Sequence, residues 1–242
     1  IALYEQWSQF AYLTYQIEML EETGIKLRVL GEQNTNLLFL GISQIVLADA
    51  CFLRFHFDIG LEMIEQAIMN LNPTTNRAAL MQAYARQCRF FWWKLQFEDT
   101  LKAANQVLTI SKAFKKLTPS IVSLVFYAKH SICMVFYAQG EAKKCLEMAN
   151  EIHKTYMHKL DPLDRMRMLY LFGYAHLISA NYEQCRIFNH QALKLSHELG
   201  RVFIKQSLLY VISKAEVIQG HLDEAYQNSI RALKVGEEKD HV

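Results

Sequence analysis

The apolar and polar positions along this chain lack the strict alternation that marks β-strands. Long stretches rich in Ala, Leu, Glu, Lys, Gln and Met are interrupted by only three prolines and nine glycines. This composition favours helices, because these residues have high helix propensity and few helix breakers occur between them. The sequence therefore predicts an all-α protein.

Small residues recur at a nearly constant spacing of 40 or 45 positions, at Gly60, Thr100, Cys145, Cys185 and Ala225. Two helices of a hairpin approach closely only where neither carries a bulky side chain, so such a column predicts helix hairpins. Seven positions after each column member lies another small or compact residue, as a buried helix face requires: Ala67, Val107, Ile152, Ala192 and Ala232. Twelve positions before each lies a third: Ala48, Cys88, Cys133, Gly173 and Ser213.

Mostly large residues occur three positions before the column: Phe57, Phe97, Ala142, Tyr182 and Leu222. The resulting order of small, small, large and small positions resembles the tetratricopeptide repeat (TPR) family over about residues 41–236. The segment GHLDEAYQNSIRALKV at 220–235 resembles the turn and second helix of such a repeat. The period exceeds the family's usual length of about 34 residues. It resembles the long repeats of kinesin light chain, the Leu-Gly-Asn repeat proteins and the sensor arrays of LuxR-like activators and signalling ATPases.

The resemblance implies a TPR-like α-solenoid, a right-handed superhelix of about five antiparallel helix hairpins plus one leading helix. We expect one array over residues 1–242, with the leading helix at 1–23 and hairpins at 34–72, 75–117, 119–158, 161–199 and 201–236. Asp161 and Pro162 are typical of an N-cap and first helical residue. The first residue is not Met and neither end resembles a polar capping helix, so we expect a fragment of a larger protein.

Charge and cysteine content restrict the class of protein. Twenty-six Lys and Arg against 24 Asp and Glu give a formal charge of +2, which does not favour nucleic acid as a direct partner. Five cysteines, an odd number without paired spacing, indicate reduced thiols and a cytoplasmic, reducing compartment. The most apolar run, 37–57, contains polar and charged residues that disfavour a membrane span: Ser43, Gln44, Asp49 and Arg54.

Patterns typical of catalysis are missing from the sequence. None of the nine histidines has another three or four positions away, so no metal site is expected. There is no glycine-rich phosphate loop, no nucleophile elbow and no cysteine in a recognisable catalytic context. We therefore expect no enzyme activity and no cofactor.

The run RFFWWK at 89–94 places four consecutive aromatic residues between two cations. In the repeat register Phe91 belongs to the core, whereas Arg89, Trp92 and Trp93 face the groove lined by the first helix of each hairpin. Equivalent positions of the other first helices complete one candidate binding groove: Asp49, Phe52, Tyr127, His130, Met134, Tyr137, Arg167, Tyr174, Tyr210 and Lys214.

Aromatic and Arg side chains dominate protein interfaces, so the groove predicts a non-catalytic scaffold that binds a partner segment. Its cations outnumber its one acid, Asp49, and its walls are aromatic. We therefore expect a protein or peptide partner that is acidic and amphipathic. The alternative is a ligand-sensing regulatory domain of a multidomain signalling ATPase, cyclase or transcriptional activator. The oligomeric state is not predicted.

Overall fold

The computed structural model describes residues 7, 10–12, 14, 16–200 and 202–237. Eleven α-helices lie among the described residues from 17 to 237, and no strand occurs in this part of the chain. The helices are α1 (Ile17–Gln33), α2 (Leu37–Leu53), α3 (Phe57–Leu71), α4 (Arg77–Trp93), α5 (Phe97–Ser111), α6 (Pro119–Ala138), α7 (Ala142–Tyr156), α8 (Pro162–Ile178), α9 (Tyr182–Glu198), α10 (Val202–Gln219) and α11 (Leu222–Glu237), with a short 3-10 helix at Met157–Lys159 after α7.

The five predicted hairpins are present as α2–α3, α4–α5, α6–α7, α8–α9 and α10–α11. Each turn contains one residue with a positive φ angle, and these residues recur at the predicted spacing: Phe55, Leu95, Gly140, Ala180 and Gly220. The next residue donates its N–H to the carbonyl five positions earlier, as His56 does to Cys51 at 2.8 Å. This is the hydrogen bond of a Schellman motif, which ends a helix tightly.

Side chains at the helix N-termini explain where several helices begin. The Asp161 carboxylate accepts the Asp164 N–H at 2.8 Å, and Pro162 is the first residue of α8, which confirms that predicted start. Asn36 accepts the Leu38 and Phe39 N–H groups at the start of α2. These caps satisfy backbone donors that have no partner inside the helix.

The leading helix predicted at 1–23 falls partly on residues 1–6, 8, 9, 13 and 15, which lie outside the described part of the chain. Residues 7 and 10–12 are helical, Gln16 is not, and helix α1 spans Ile17–Gln33. Gly24 and Gly31 do not end this helix, because they face α2. A Cβ atom at Gly24 would lie 2.6 Å from the Leu47 side chain, and one at Gly31 would lie 2.8 Å from that of Leu40. These glycines are contact points that allow close helix packing.

The chain divides into two compact units, unit 1 at residues 1–117 and unit 2 at residues 118–242. Within each unit, consecutive helices pack against one another, as in a TPR-like α-solenoid. The boundary falls between the second and third hairpins. One continuous array across both units stays a prediction.

Every member of the three predicted columns of small residues is buried. Close helix packing explains this burial. A Cβ atom at Gly60 would lie 2.4 Å from the Phe90 ring of the next hairpin, and one at Gly173 would lie 2.0 Å from Asn189 Nδ2 of its own hairpin. The two columns within a hairpin also face each other, so the Sγ atoms of Cys133 and Cys145 lie 3.3 Å apart. The columns thus mark the contact line between paired helices.

Helix α6 is the one described helix that is long and apolar enough to cross a membrane. More than half of its apolar stretch, 61%, is buried inside the structure. That burial is expected of a core helix, whose apolar residues contact its neighbours in the fold.

Candidate binding face

The predicted groove residues lie on the first helices of the hairpins, which contact one another in both units. Unit 1 holds five of them on α2 and α4, and unit 2 holds eight on α6, α8 and α10. Each unit carries its own candidate face.

The two charged groove residues of unit 1, Asp49 and Arg89, belong to an internal network of ion pairs. Arg89 Nη2 donates to Asp49 Oδ1, and Arg86 Nε lies 3.1 and 3.2 Å from the two Asp49 carboxylate oxygens. Arg89 Nη1 also donates to the Tyr12 hydroxyl at 2.5 Å, and the Arg89 guanidinium lies 4.0 Å from the Phe52 ring centre. Only 4% of Asp49 and 8% of Arg89 is exposed.

This burial differs from the expectation that Arg89 and Asp49 face a ligand. Charges removed from water require close partners, and here each provides one for the other. Arg86, which the sequence analysis missed, lies one helical turn before Arg89 on α4 and has the same partner. The network therefore holds α2 and α4 together.

The two tryptophans of the predicted groove, Trp92 and Trp93, pack near the hairpin turns. Trp92 lies 5.6 Å from Phe97 between ring centres, and Trp93 stacks on Phe57 at 5.9 Å. Phe90 is the fully buried aromatic residue of this run, and Phe91 is partly buried and packs against the same core. Trp93 is 43% exposed and offers the largest open ring of the run.

A polar cluster of unit 2 joins α6 to α8. Arg167 Nη1 donates to Asp164 Oδ1 at 2.9 Å, and the Ser123 hydroxyl donates to the other oxygen of that carboxylate. Burial raises the Asp164 pKa, although Arg167 and Ser123 oppose this shift. The Arg167 guanidinium also lies 6.0 Å from the Tyr127 ring centre. Arg167 is partly exposed, and its guanidinium already forms an ion pair with the Asp164 carboxylate.

His130 stacks on Tyr127 with 6.2 Å between ring centres. Burial lowers the His130 pKa to about 3, and the charge of Arg167 adds to this effect. His130 is therefore neutral at ordinary pH. Met134, one turn further along α6, is buried at 8% exposure and belongs to the core.

Three tyrosines form a continuous contact between α6 and α8. The ring centres of Tyr137 and Tyr174 lie 4.4 Å apart, and those of Tyr170 and Tyr174 lie 4.5 Å apart. The Tyr170 and Tyr174 hydroxyl oxygens lie 2.5 Å apart, within hydrogen-bond distance. Tyr170 was not predicted, although it lies four positions before Tyr174 and so shares its helix face.

Burial raises the pKa of both Tyr137 and Tyr170 to about 12, and it raises the pKa of Tyr174 further above its ordinary value. All three phenols therefore keep their protons, and the Tyr170–Tyr174 pair uses one of its two hydroxyl hydrogens internally. Their packing also fixes the ring orientations, which lowers the entropy lost when a ligand binds.

Helix α10 adds an open stripe to this face. Tyr210 is 59% exposed, and Lys214 lies one turn later and is also exposed. Val217 and Ile218, which the sequence analysis missed, continue the stripe with about half of each residue exposed. We call the group Tyr137, Tyr170, Tyr174, Tyr210 and Lys214 the tyrosine face.

The described residues contain no group of three or more His, Cys, Asp or Glu side chains that could hold a metal ion. The tyrosine face instead combines fixed aromatic rings, protonated hydroxyls and an exposed ammonium group. Such groups suit binding through apolar contact and hydrogen bonds.

No protein-family model matches this sequence, and no curated protein sequence matches it. Solved structures match the fold. BtubC (BKLC) from P. vanneervenii aligns with a TM-score of 0.63 and 14% identity over 95% of this chain and 93% of that chain. Aspartyl phosphate phosphatase F from Bacillus subtilis aligns with a TM-score of 0.64 and 13% identity over 88% of this chain.

The signal transduction ATPase with numerous domains and a tetratricopeptide repeat sensor from Pyrococcus horikoshii aligns with a TM-score of 0.66 and 15% identity over 94% of this chain. The alignments cover 56% of the Bacillus phosphatase and 33% of the Pyrococcus ATPase. At these identities the likeness establishes the fold. The chain has the TPR-like α-solenoid fold that the spacing of small residues predicts.

Proposed function

We propose that this chain is a non-catalytic protein-interaction scaffold that holds a partner segment on the tyrosine face of unit 2. The observation that carries the proposal is the ring contact of α6 with α8 through Tyr137, Tyr170 and Tyr174, beside the exposed Tyr210 and Lys214 on the adjacent helix α10. Solenoid folds commonly present such surfaces to extended ligands, because neighbouring repeats place equivalent positions side by side.

The chemistry of the face indicates the partner. Tyrosines supply large contact areas with few rotatable bonds, and their protonated hydroxyls donate to carbonyl or carboxylate oxygens. Lys214 provides a positive charge on the same face. A segment with apolar side chains and carboxylates fits these groups, which retains the acidic, amphipathic partner expected from the sequence. Arg89 and Asp49 of unit 1 have no part in this proposal, because they are buried against each other.

Matched pairs of variants test the proposal. The probe is a labelled amphipathic peptide of Leu and Glu, and its affinity is measured by fluorescence anisotropy. Tyr210→Ala and Lys214→Ala alter exposed side chains, so both variants should fold normally and each should bind about tenfold or more weakly. The controls are Tyr226→Ala on α11 and Lys143→Ala on α7, which remove an equally exposed tyrosine and lysine elsewhere in unit 2. Equal losses in the controls, or no loss in the test variants, would contradict the proposal.

One feature favours the ligand-sensing alternative. A crevice of about 270 Å³ between α9, α10 and α11 is lined by Lys205, Arg231 and Lys234 over apolar residues such as Leu209. No described acid forms an ion pair with these three cations. The similar Pyrococcus ATPase carries a tetratricopeptide repeat sensor. Calorimetric titration with inorganic phosphate tests this alternative. It requires that the parent chain binds phosphate and that Lys205→Ala weakens this binding.

A further inference from the structure

Two hairpin turns of unit 1 expose large apolar residues in a backbone conformation that disfavours them. Phe55 and Leu95 have φ angles of 61° and 59° and are 65% and 70% exposed. Left-handed backbone is strained for residues with a Cβ atom and unstrained for glycine. The same position in unit 2 is occupied by Gly140, Ala180 and Gly220. The turn itself therefore does not require a large side chain.

Exposed apolar residues continue between these two turns. The Phe55 and Phe57 ring centres lie 6.0 Å apart, and Phe57 stacks on Trp93, which is itself partly exposed. Ile59, one turn after Phe55, is half exposed. We call Phe55, Ile59, Trp93 and Leu95 the turn edge.

Packing beneath the turn edge fixes its shape. Phe52 and Phe57 lie at 6.0 and 5.9 Å from Trp93 between ring centres, and Phe52 packs edge-on against the buried Phe90 at 5.5 Å. An ion pair between Lys94 and Asp58 joins the two turns. The edge is therefore a preformed surface, and such surfaces lose little entropy on binding.

Acidic residues surround the turn edge. Helices α3 and α5 begin there, and acids in their first turns favour the positive ends of the helix dipoles: Asp58, Glu98 and Asp99. Lys94 and Lys102 pair with Asp58 and Asp99. Within the described residues, Glu98 and the exposed Glu62 form no ion pair, so the surroundings are negative.

We propose that the turn edge is a second interaction surface, which binds a basic, amphipathic segment of a partner protein. The apolar side chains would pack against Phe55, Trp93 and Leu95, and Lys or Arg residues would face the surrounding acids. A symmetric dimer would place this edge against itself and oppose like charges. An anionic lipid surface would be repelled for the same reason.

The test combines removal of the two side chains with relief of their strain. The double variant Phe55→Gly, Leu95→Gly should melt no lower than the parent, because glycine adopts this backbone conformation readily. The probe is a labelled helical peptide of Leu and Lys, compared with a Leu and Glu peptide of the same pattern. We expect the double variant to bind the Lys peptide about tenfold more weakly than the parent does, and to bind the Glu peptide, whose proposed site is the tyrosine face, as the parent does.

Ala180→Gly is the matched control, since it relieves the same backbone strain in unit 2 without altering the turn edge. It should leave the affinity for the Lys peptide unchanged. The proposal is overturned if the double variant binds the Lys peptide as the parent does. It is also overturned if sedimentation shows a dimer that the double variant abolishes, or if phosphatidylserine vesicles bind through Phe55 and Leu95. Tyr210→Ala leaves this site intact, so its outcome is separate from that of the proposed function.

Discussion

Asp49→Asn is the substitution that most directly perturbs the polar core of unit 1. Asparagine keeps the size of the side chain but removes the charge that Arg86 and Arg89 share. Arg89 would then remain buried without its carboxylate. Removing one partner of a buried ion pair destabilises a protein by about 3–5 kcal/mol.

The structure favours the lower half of that range. The Arg86 side chain is 29% exposed and can exchange its ion pair for water, so most of the loss comes from Arg89. For a chain of this length, a loss of about 3 kcal/mol lowers the melting temperature by roughly 6–12 °C. Thermal and urea denaturation followed by circular dichroism measure the loss.

Asp58→Asn is the control, because this acid also pairs with a cation between α3 and α4 but is largely exposed. Exposed ion pairs contribute little to stability, so this variant should melt close to the parent. A second check is Asp49→Leu with Arg89→Met, which should be more stable than Asp49→Leu alone because it leaves no buried charge at position 89. Equal shifts for Asp49→Asn and Asp58→Asn would refute the reasoning.

Three further predictions concern unit 2 and the thiols. Gly173→Ala should lower the free energy of unfolding by about 1–3 kcal/mol, because the added Cβ would clash with Asn189. Gln191→Ala at an exposed position of α9 should leave it nearly unchanged, and urea midpoints compare the two variants. The His130 pKa is lowered to about 3, so the unfolded chain binds more protons from about pH 3 to 6.5 and stability falls as pH drops through that window. His130→Gln should lose less stability between pH 7 and 5 than the parent. Burial raises the Cys88 pKa to about 12, so iodoacetamide at pH 8 should label the less buried Cys51 first, as peptide mass mapping would show.

The spacing of small residues predicted the fold because it follows from a distance constraint. Helices pack closely only where side chains are small, and Gly60, Cys133 and Gly173 are buried at such contacts. The same constraint was missed at Gly24 and Gly31, which lie outside the 40-residue pattern.

The candidate site was less predictable, because a helix register gives the direction of a side chain but not its partners. Asp49 and Arg89 are 40 residues apart and therefore occupy equivalent positions on neighbouring first helices. Opposite charges at equivalent positions of neighbouring helices can pair with each other, as Asp49 and Arg89 do. The 40-residue spacing therefore already implied this ion pair. The sequence analysis also missed Phe90 as a core residue, because Phe90 and Phe91 are both apolar and the periodicity does not distinguish them.

Photo-cross-linking tests the central claim most directly, since it locates a ligand without relying on loss of affinity. The probe is the Leu and Glu peptide with a photoreactive group, bound to the intact chain, and the cross-linked residues are identified by mass spectrometry. The tyrosine face predicts cross-links to α6, α8 and α10 around Tyr137, Tyr174, Tyr210 and Lys214. Cross-links confined to α7, α9 and α11, or to the turn edge of unit 1, would contradict it.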